Sequence, residues 1–274
     1  MPHNRLHQRP FRVVTHRTWL AHMFRREGGV QDFGLDITPE HAPDTLWWAP
    51  GHWVARAAAS GLQLPLTSCG QTWMTAHHGH RVRRRVTVVR ARDVTHMFDE
   101  WRAGELHIKL PEVKTDAFPA EIRSREKALI DCGRLCPDQL VQVSDASSFV
   151  NEARFFITNN AVTAWSWYRI GGQWFGDPEF GGQHAPDPHR VRGLATEIAR
   201  TAKAPNGYSI DIGTSEDGTP LLIEANASWS SNPYDADITG VFASIVAAHD
   251  FDGTQAPWRF DTAQYGKVAP LRLR

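Results

Sequence analysis

Short apolar runs and two alternating hairpins dominate the hydrophobic pattern of this chain, and helical periodicity is confined to a few stretches between them. Residues 11–15 (FRVVT) and 45–49 (TLWWA) read as strands, each followed by a turn signal or a helical stretch, which predicts a small α/β unit at the N-terminus. Residues 86–89 (VTVV) make another strand, after which Asp93 is placed to cap a short helix running to about Trp101. The pattern changes here, so the expected division is an N-terminal α/β domain over residues 1–90 and a second domain over 91–274. Strands follow at 105–110 (ELHIKL), ending in Pro111, and at 139–143 (QLVQV), with polar loops after each. Residues 152–158 and 161–169 form two long strands joined at Asn159-Asn160, a type I′ signal. In that register Arg154 faces Trp165 and Glu152 faces Trp167, with Arg169 further along the same face.

The stretch Gly171 to Gly182 is rich in Gly and aromatic residues and reads either as a mobile loop able to close over a substrate or as a plain connector. Between Pro186 and Pro205, Val191, Leu194, Ala195, Ile198, Ala199 and Ala202 recur at i, i+3, i+4, i+7, an amphipathic helix with Asp187 near its cap. A second apolar helix spans Val241 to Ala248.

The most informative segment is Tyr208 to Asn226 (YSIDIGTSEDGTPLLIEAN). Asp217-Gly218 predicts a two-residue type I′ hairpin loop. That loop sets Asp211 opposite Glu224, with Asn226 on the same face two residues on, and leaves Ile210 and Ile212 to pair with Ala225 and Ile223 on an apolar face. Two like charges directly opposite one another are destabilising unless something offsets them. A divalent cation is the simplest remedy, and oxygen ligands without nearby Cys or His favour Mg²⁺ or Mn²⁺ over zinc. A solvated hairpin with acidic decoration is the alternative.

Composition narrows the classes without choosing among them. The 274 residues suffice for one large or two moderate domains, and an apolar fraction of 41% is ordinary for a globular chain. Lys plus Arg and Asp plus Glu number 30 each, so no global field steers the protein toward nucleic acid or an anionic membrane. The one basic run, His77 to Arg85 (HHGHRVRRR), lacks a stacking aromatic or an RNA-binding motif and reads as a solvated connector. Three cysteines, Cys69, Cys132 and Cys136, argue against a disulfide scaffold and fit a reducing compartment. No apolar h-region opens the chain and no stretch approaches a membrane span, so a soluble, cytoplasmic protein is expected. Eleven tryptophans cluster as Trp47-Trp48-Trp53 and Trp165-Trp167-Trp174, mainly for core packing, with a bulky substrate pocket as the other use. No internal repeat, P-loop or kinase motif set is present.

In chain order the later two thirds present Lys109, Lys114, the strand and loop at Val141 to Ser144, Glu152 with Arg154, Arg169, then Asp211, Glu224 and Asn226. Early cations with a late carboxylate, carboxylate, amide set are what a triphosphate and its metal require. HIKLPEVKTDAFPA (107–120), NEARFFI (151–157), SWYR (166–169) and IEANASWSSNPYDAD (223–237) together resemble the ATP-grasp superfamily, within it the clade named for one arginine and two lysines. The resemblance covers residues 100–245.

That resemblance implies an ATP-grasp fold of α/β (α+β) class, two α+β subdomains that grip ATP, preceded by a small α/β domain. It implies that Lys109 and Lys114 hold phosphates, that Gln142, Val143 and Ser144 form the adenine hinge with Glu152 near the ribose or hinge, and that Arg154 contacts phosphate. It implies that Arg169 meets phosphate or a substrate carboxylate, and that Asp211, Glu224 and Asn226 ligate Mg²⁺ or Mn²⁺. The implied activity is ATP-dependent joining of a small-molecule carboxylate to an amine through an acyl phosphate, with the acceptor near Arg169, Ser228 to Ser231 and Tyr234. A non-catalytic ATP-binding module, or a phosphotransferase acting on a hydroxyl, would use the same residues. The loop Thr115 to Ala120 lacks the glycine that phosphate-covering loops often carry.

Overall fold

The computed structural model describes residues 9–34, 44–180 and 185–267. In chain order they form β1 (Phe11–Val14), α1 (Thr18–Phe24), β2 (Gly29–Asp32), β3 (Leu46–Trp48), α2 (Gly51–Ala59), β4 (Val86–Arg90), α3 (Val94–Trp101), β5 (Glu105–Lys109), β6 (Glu121–Ser124), α4 (Arg125–Cys132) and β7 (Leu140–Asp145). There follow β8 (Asn151–Thr158), β9 (Ala161–Ile170), β10 (Gln173–Trp174), α5 (His189–Thr201), β11 (Gly207–Thr214), β12 (Pro220–Asn226), α6 (Ile238–Ala247) and α7 (Ala263–Lys267). Two compact units result: Met1–Cys69 with Phe149–Phe260, and Gly70–Ser148 with Asp261–Arg274.

The first unit holds two sheets. A parallel sheet in the order β2-β1-β3 contains both strands expected near the N-terminus. β3 is an apolar run buried on every residue, as a strand covered on both faces should be. Trp47, Trp48 and Trp53 are all buried here, the two outer rings of the three lying 5.0 Å apart, so this tryptophan cluster is core. The larger sheet is antiparallel, in the order β10-β9-β8-β11-β12. α5 buries Val191, Leu194, Ala195, Ile198 and Ala199, the stripe read from the sequence. α6 lies so close to the sheet that a Cβ on Gly240 would sit 2.2 Å from the Thr163 carbonyl oxygen, and one on Gly207 equally close to that of Ser244. Only glycine permits that approach.

Both hairpins depart from the predicted register, for a common reason. Asn159 and Asn160 have φ of 48° and 65°, the type I′ turn expected. The ladder then slips at two β-bulges, where Thr163 and Tyr168 are extra residues on β9, so Arg154 faces Ser166 and Glu152 faces Arg169, in place of Trp165 and Trp167. At the other hairpin the loop is longer than two residues. Gly218 alone takes a positive φ (72°), the Ser215 carbonyl accepts from Gly218 N and the Thr219 carbonyl from Ser215 N. This is a three-residue loop with a left-handed glycine, not type I′, and it offsets the pairing by one. A bulge at Ile223 restores it, so Ile212 faces Leu222 while Asp211 faces Glu224 as expected.

The second unit is built on an antiparallel sheet in the order β4-β7-β5-β6, with α3 and α4 packed on it. Leu106, Ile108, Val141, Val143, Val94 and Phe98 form its core. β4, the strand at 86–90, pairs along its length with β7 and so belongs to this sheet. Asp93 stands at the start of α3 without a side-chain cap bond, whereas Ser124 caps α4 by accepting from Lys127 N. In the basic run, Arg85 is clamped on Asp145 through two nitrogens, and His77 is buried against Trp73 with ring centroids 4.0 Å apart.

Buried His249 joins β3 to the end of α6. Its Nε2 accepts from Trp47 N (3.0 Å), so its proton sits on Nδ1, which donates to the Ile245 carbonyl (2.8 Å). Burial pushes its pKa from 6.5 down to about 4. The depressed value means that the unfolded chain binds the proton first, so stability present above pH 6.5 is lost as pH falls toward 4. The loss is about 3 kcal/mol if the shift is fully expressed. Urea titrations from pH 7 to pH 4 are expected to show His249→Gln flattening the pH slope of stability by one proton. An unchanged slope would mean that the imidazole is not held neutral.

Candidate functional site

The face of the larger sheet carrying β8 and β11 places side chains in rungs across the strands. One rung runs Ser166, Arg154, Asp211, Glu224 on β9, β8, β11 and β12. Arg154 grips Asp211 through two parallel bonds, Nε to Oδ1 and Nη2 to Oδ2, each 2.8 Å, in a setting where Arg154 is 5% and Asp211 2% exposed. Bidentate geometry of this kind is the strong form of the pair. Burial opposes the charge on Arg154, but Asp211 outweighs it and raises the guanidinium pKa above its ordinary value. Asn226 Nδ2 lies between the two acids, donating to Asp211 Oδ2 (3.2 Å) and Glu224 Oε1 (2.9 Å). Repulsion between the facing carboxylates is thus offset by a guanidinium and an amide of the chain itself.

The neighbouring rung pairs Glu152 with Arg169. The bulge at Tyr168 lets two adjacent residues of β9 reach the same carboxylate, which strict alternation would forbid. Tyr168 Oη donates to Glu152 Oε2 at 2.6 Å and Arg169 Nη1 to Oε1 at 2.7 Å. Burial, with Asp211 and Glu152 nearby, pushes the Tyr168 hydroxyl well above its usual pKa and keeps it a donor. Its ring stacks on Tyr234 at 5.1 Å, and the Arg154 guanidinium lies 5.6 and 5.3 Å from the two ring centroids.

The sequence-predicted residues therefore fall into two groups. Glu152, Arg154, Arg169, Asp211, Glu224 and Asn226 share adjacent rungs in the first unit. In the second unit β5 and β7 pair Lys109 with Gln142 and Ile108 with Val143, and Gln142, Val143 and Ser144 are buried within that sheet. Lys114 is exposed in the loop after β5. Ser228 and Ser231, expected near an acceptor, are buried, with hydroxyls bonded to Ser244 (2.6 Å) and Ser209 (2.8 Å). Tyr234 does face Arg154.

Sequence reasoning missed Arg123 and Tyr168. Arg123, on β6, is 1% exposed and donates to the carbonyls of Ile108 (2.7 Å) and Pro119 (2.8 Å), and to Asp131 Oδ2 (2.9 Å). It fastens both ends of the segment that carries Lys109 and Lys114. The alternation around it gives no hint, because apolar Ile122 is 46% exposed while Arg123 turns inward.

Asp211 and Glu224 each accept from Asn226 Nδ2, so two carboxylates meet at one amide; with that amide turned end for end, its oxygen would join theirs in a hard-oxygen donor set of the kind Mg²⁺ or Mn²⁺ takes. Among the described residues no group of three His, Cys, Asp or Glu converges as a metal site. No helix among the described residues is long and apolar enough to cross a membrane.

Residues 82–243 match the model of an ATP-grasp domain family, family 2 of the clade named for one arginine and two lysines. Among solved structures, D-cycloserine synthetase DcsG is similar with a TM-score of 0.53 and 14% identity over 86% of this chain and 98% of that one. A RimK domain protein ATP-grasp from Sphaerobacter thermophilus DSM 20745 gives 0.47 and 14% over 87% and 96%. The D-alanine–D-alanine ligase from Bacillus anthracis gives 0.49 and 11% over 88% and 97%. At such identities the likeness, carried by the first of the three, is one of fold. No curated protein matches.

Proposed function

The chain belongs to the ATP-grasp domain proteins, in family 2 of the clade named for one arginine and two lysines, and from that membership we propose that it is an ATP- and Mg²⁺-dependent ligase joining a carboxylate to an amine. The observation that carries the proposal is the rung of buried Arg154 and Asp211 with half-buried Glu224, and Asn226 between the acids. Asp211, Glu224 and Asn226 would hold the metal, which when bound supplies charge neutralisation along the phosphates. Lys109 and Lys114 contact phosphate, and Gln142, Val143 and Ser144 meet the adenine through their strand. Arg154, already in place over Asp211, stabilises charge that develops on the transferring phosphoryl group.

In the first step a substrate carboxylate oxygen attacks the γ-phosphorus and ADP leaves, giving an acyl phosphate. In the second the amine nitrogen attacks the acyl carbon, phosphate departs, and the proton lost by the amine passes to it or to solvent. Such a sequence needs positioning and cations and no covalent protein nucleophile. Arg169, held by Glu152 and the Phe149 carbonyl, is a fixed cation for the substrate's own carboxylate.

Release of ADP in the presence of Mg²⁺ and a panel of carboxylates and amines tests the proposal. ADP with amide product is expected. A stable phosphorylated product would mark a phosphotransferase, and ATP binding without ADP under every pairing would mark a non-catalytic module.

A further inference from the structure

The second tryptophan cluster is only partly core. Trp167 is 8% exposed, but Trp174, on the short strand β10, is 51% exposed, and its neighbour Phe175 is 38% exposed. Trp174 pairs with Arg169 across the ladder, and the Arg169 guanidinium lies 5.2 Å from the indole centroid. Tyr168 stacks on Trp174 at 6.0 Å, as it does on Tyr234, and Phe175 meets Tyr234 edge-on at 5.5 Å. Four rings thus form a wall in the order Trp174, Tyr168, Tyr234, Phe175 beside the rung of Arg154 and Asp211, with its two ends exposed, the Phe175 end also meeting Phe180 at 5.5 Å.

Three features point to a ligand for that wall. Large rings left in water forgo the stabilisation that burial would give, so exposed ones at a site edge mark a surface awaiting a partner. Tyr234 holds a left-handed backbone (φ 53°), unfavourable for a side chain with Cβ, and it thereby presents its ring to both Tyr168 and Phe175. The Arg169 side chain, its Nη1 held by Glu152 and the Phe149 carbonyl, remains 28% exposed beside the same indole. A fixed, partly exposed guanidinium and a half-open indole, paired directly across a ladder, match the carboxylate and ring of one small molecule.

We propose that Trp174 and Arg169 form a subsite for an aromatic amino acid, its ring on the exposed indole and its carboxylate on Arg169, as one of the two substrates joined. The inference rests on the ligase reading only for what happens after binding. Calorimetry with L-phenylalanine and with L-leucine, each with and without Mg²⁺ and a non-hydrolysable ATP analogue, tests it. L-Phenylalanine is expected to bind at least tenfold more tightly than L-leucine, and Trp174→Ala to remove that preference while the circular dichroism spectrum is kept. Equal affinities, a preference that survives Trp174→Ala, or binding of neither amino acid in either condition would overturn it. Failure of the nucleotide analogue to bind, with the aromatic preference intact, would strike the ligase reading and leave the subsite standing.

Discussion

Asp211→Ala is expected to lower stability by about 3–5 kcal/mol, because it strands the buried Arg154 guanidinium without its carboxylate, and to abolish Mg²⁺-dependent ATP binding. The two losses have separate causes that a double variant resolves. Arg154→Met with Asp211→Leu replaces the buried pair by apolar groups of similar bulk, a change that is often neutral or stabilising. Most of the lost stability is expected to return, whereas nucleotide affinity in the presence of Mg²⁺ is not. Glu224, half-buried and opposite Asp211, gives the complementary case: Glu224→Gln should cost little in urea unfolding and still weaken the magnesium dependence of ATP binding. Unfolding curves together with ATP titrations, with and without Mg²⁺, decide the matter. Should the single and double variants be equally unstable, the ion pair is not what holds this rung. Magnesium-dependent affinity that survives Asp211→Ala would remove the metal assignment.

The Asp211 rung was legible in the sequence through two offsets that cancel. Asp217-Gly218 suggested a two-residue turn, but the loop takes one residue more, and the bulge at Ile223 absorbs the slip before Asp211 and Glu224 are reached. The hairpin at Asn159-Asn160 shows the reverse: its turn was legible and its register was not. A bulge is set by what the extra residue gains in tertiary contact. Thr163 gains a hydrogen bond to the Gly240 carbonyl at the start of α6 (2.9 Å), and Tyr168 gains one to Glu152. Neither partner is near in sequence, so alternation alone could not reveal either slip. The helices α5 and α6 were legible because their burial follows a local period, and β6 was not, because its inward residue is an arginine.

That inward arginine carries the second large prediction. Arg123→Leu leaves the carbonyls of Ile108 and Pro119 without their donor and Asp131 without one of its cations, and it removes a guanidinium lying 4.2 Å from the Phe118 ring centroid. A cost of about 3–5 kcal/mol in stability is expected, the scale for breaking a buried charged network by removing one partner. Because the segment between those carbonyls carries Lys109 and Lys114, ATP affinity is expected to fall at least tenfold at a temperature where the variant remains folded. Arg123→Lys separates charge from geometry: an ammonium keeps the attraction to Asp131 but lacks the planar fork that reaches two carbonyls and a carboxylate together. It should therefore recover part of the stability and little of the affinity. Folding measured by urea titration and ATP binding measured by calorimetry would then order the three proteins differently. If Arg123→Leu bound ATP like the wild type, either the loop would hold its position without the arginine or its lysines would not contact phosphate, and Lys109→Ala and Lys114→Ala measured alongside would tell which.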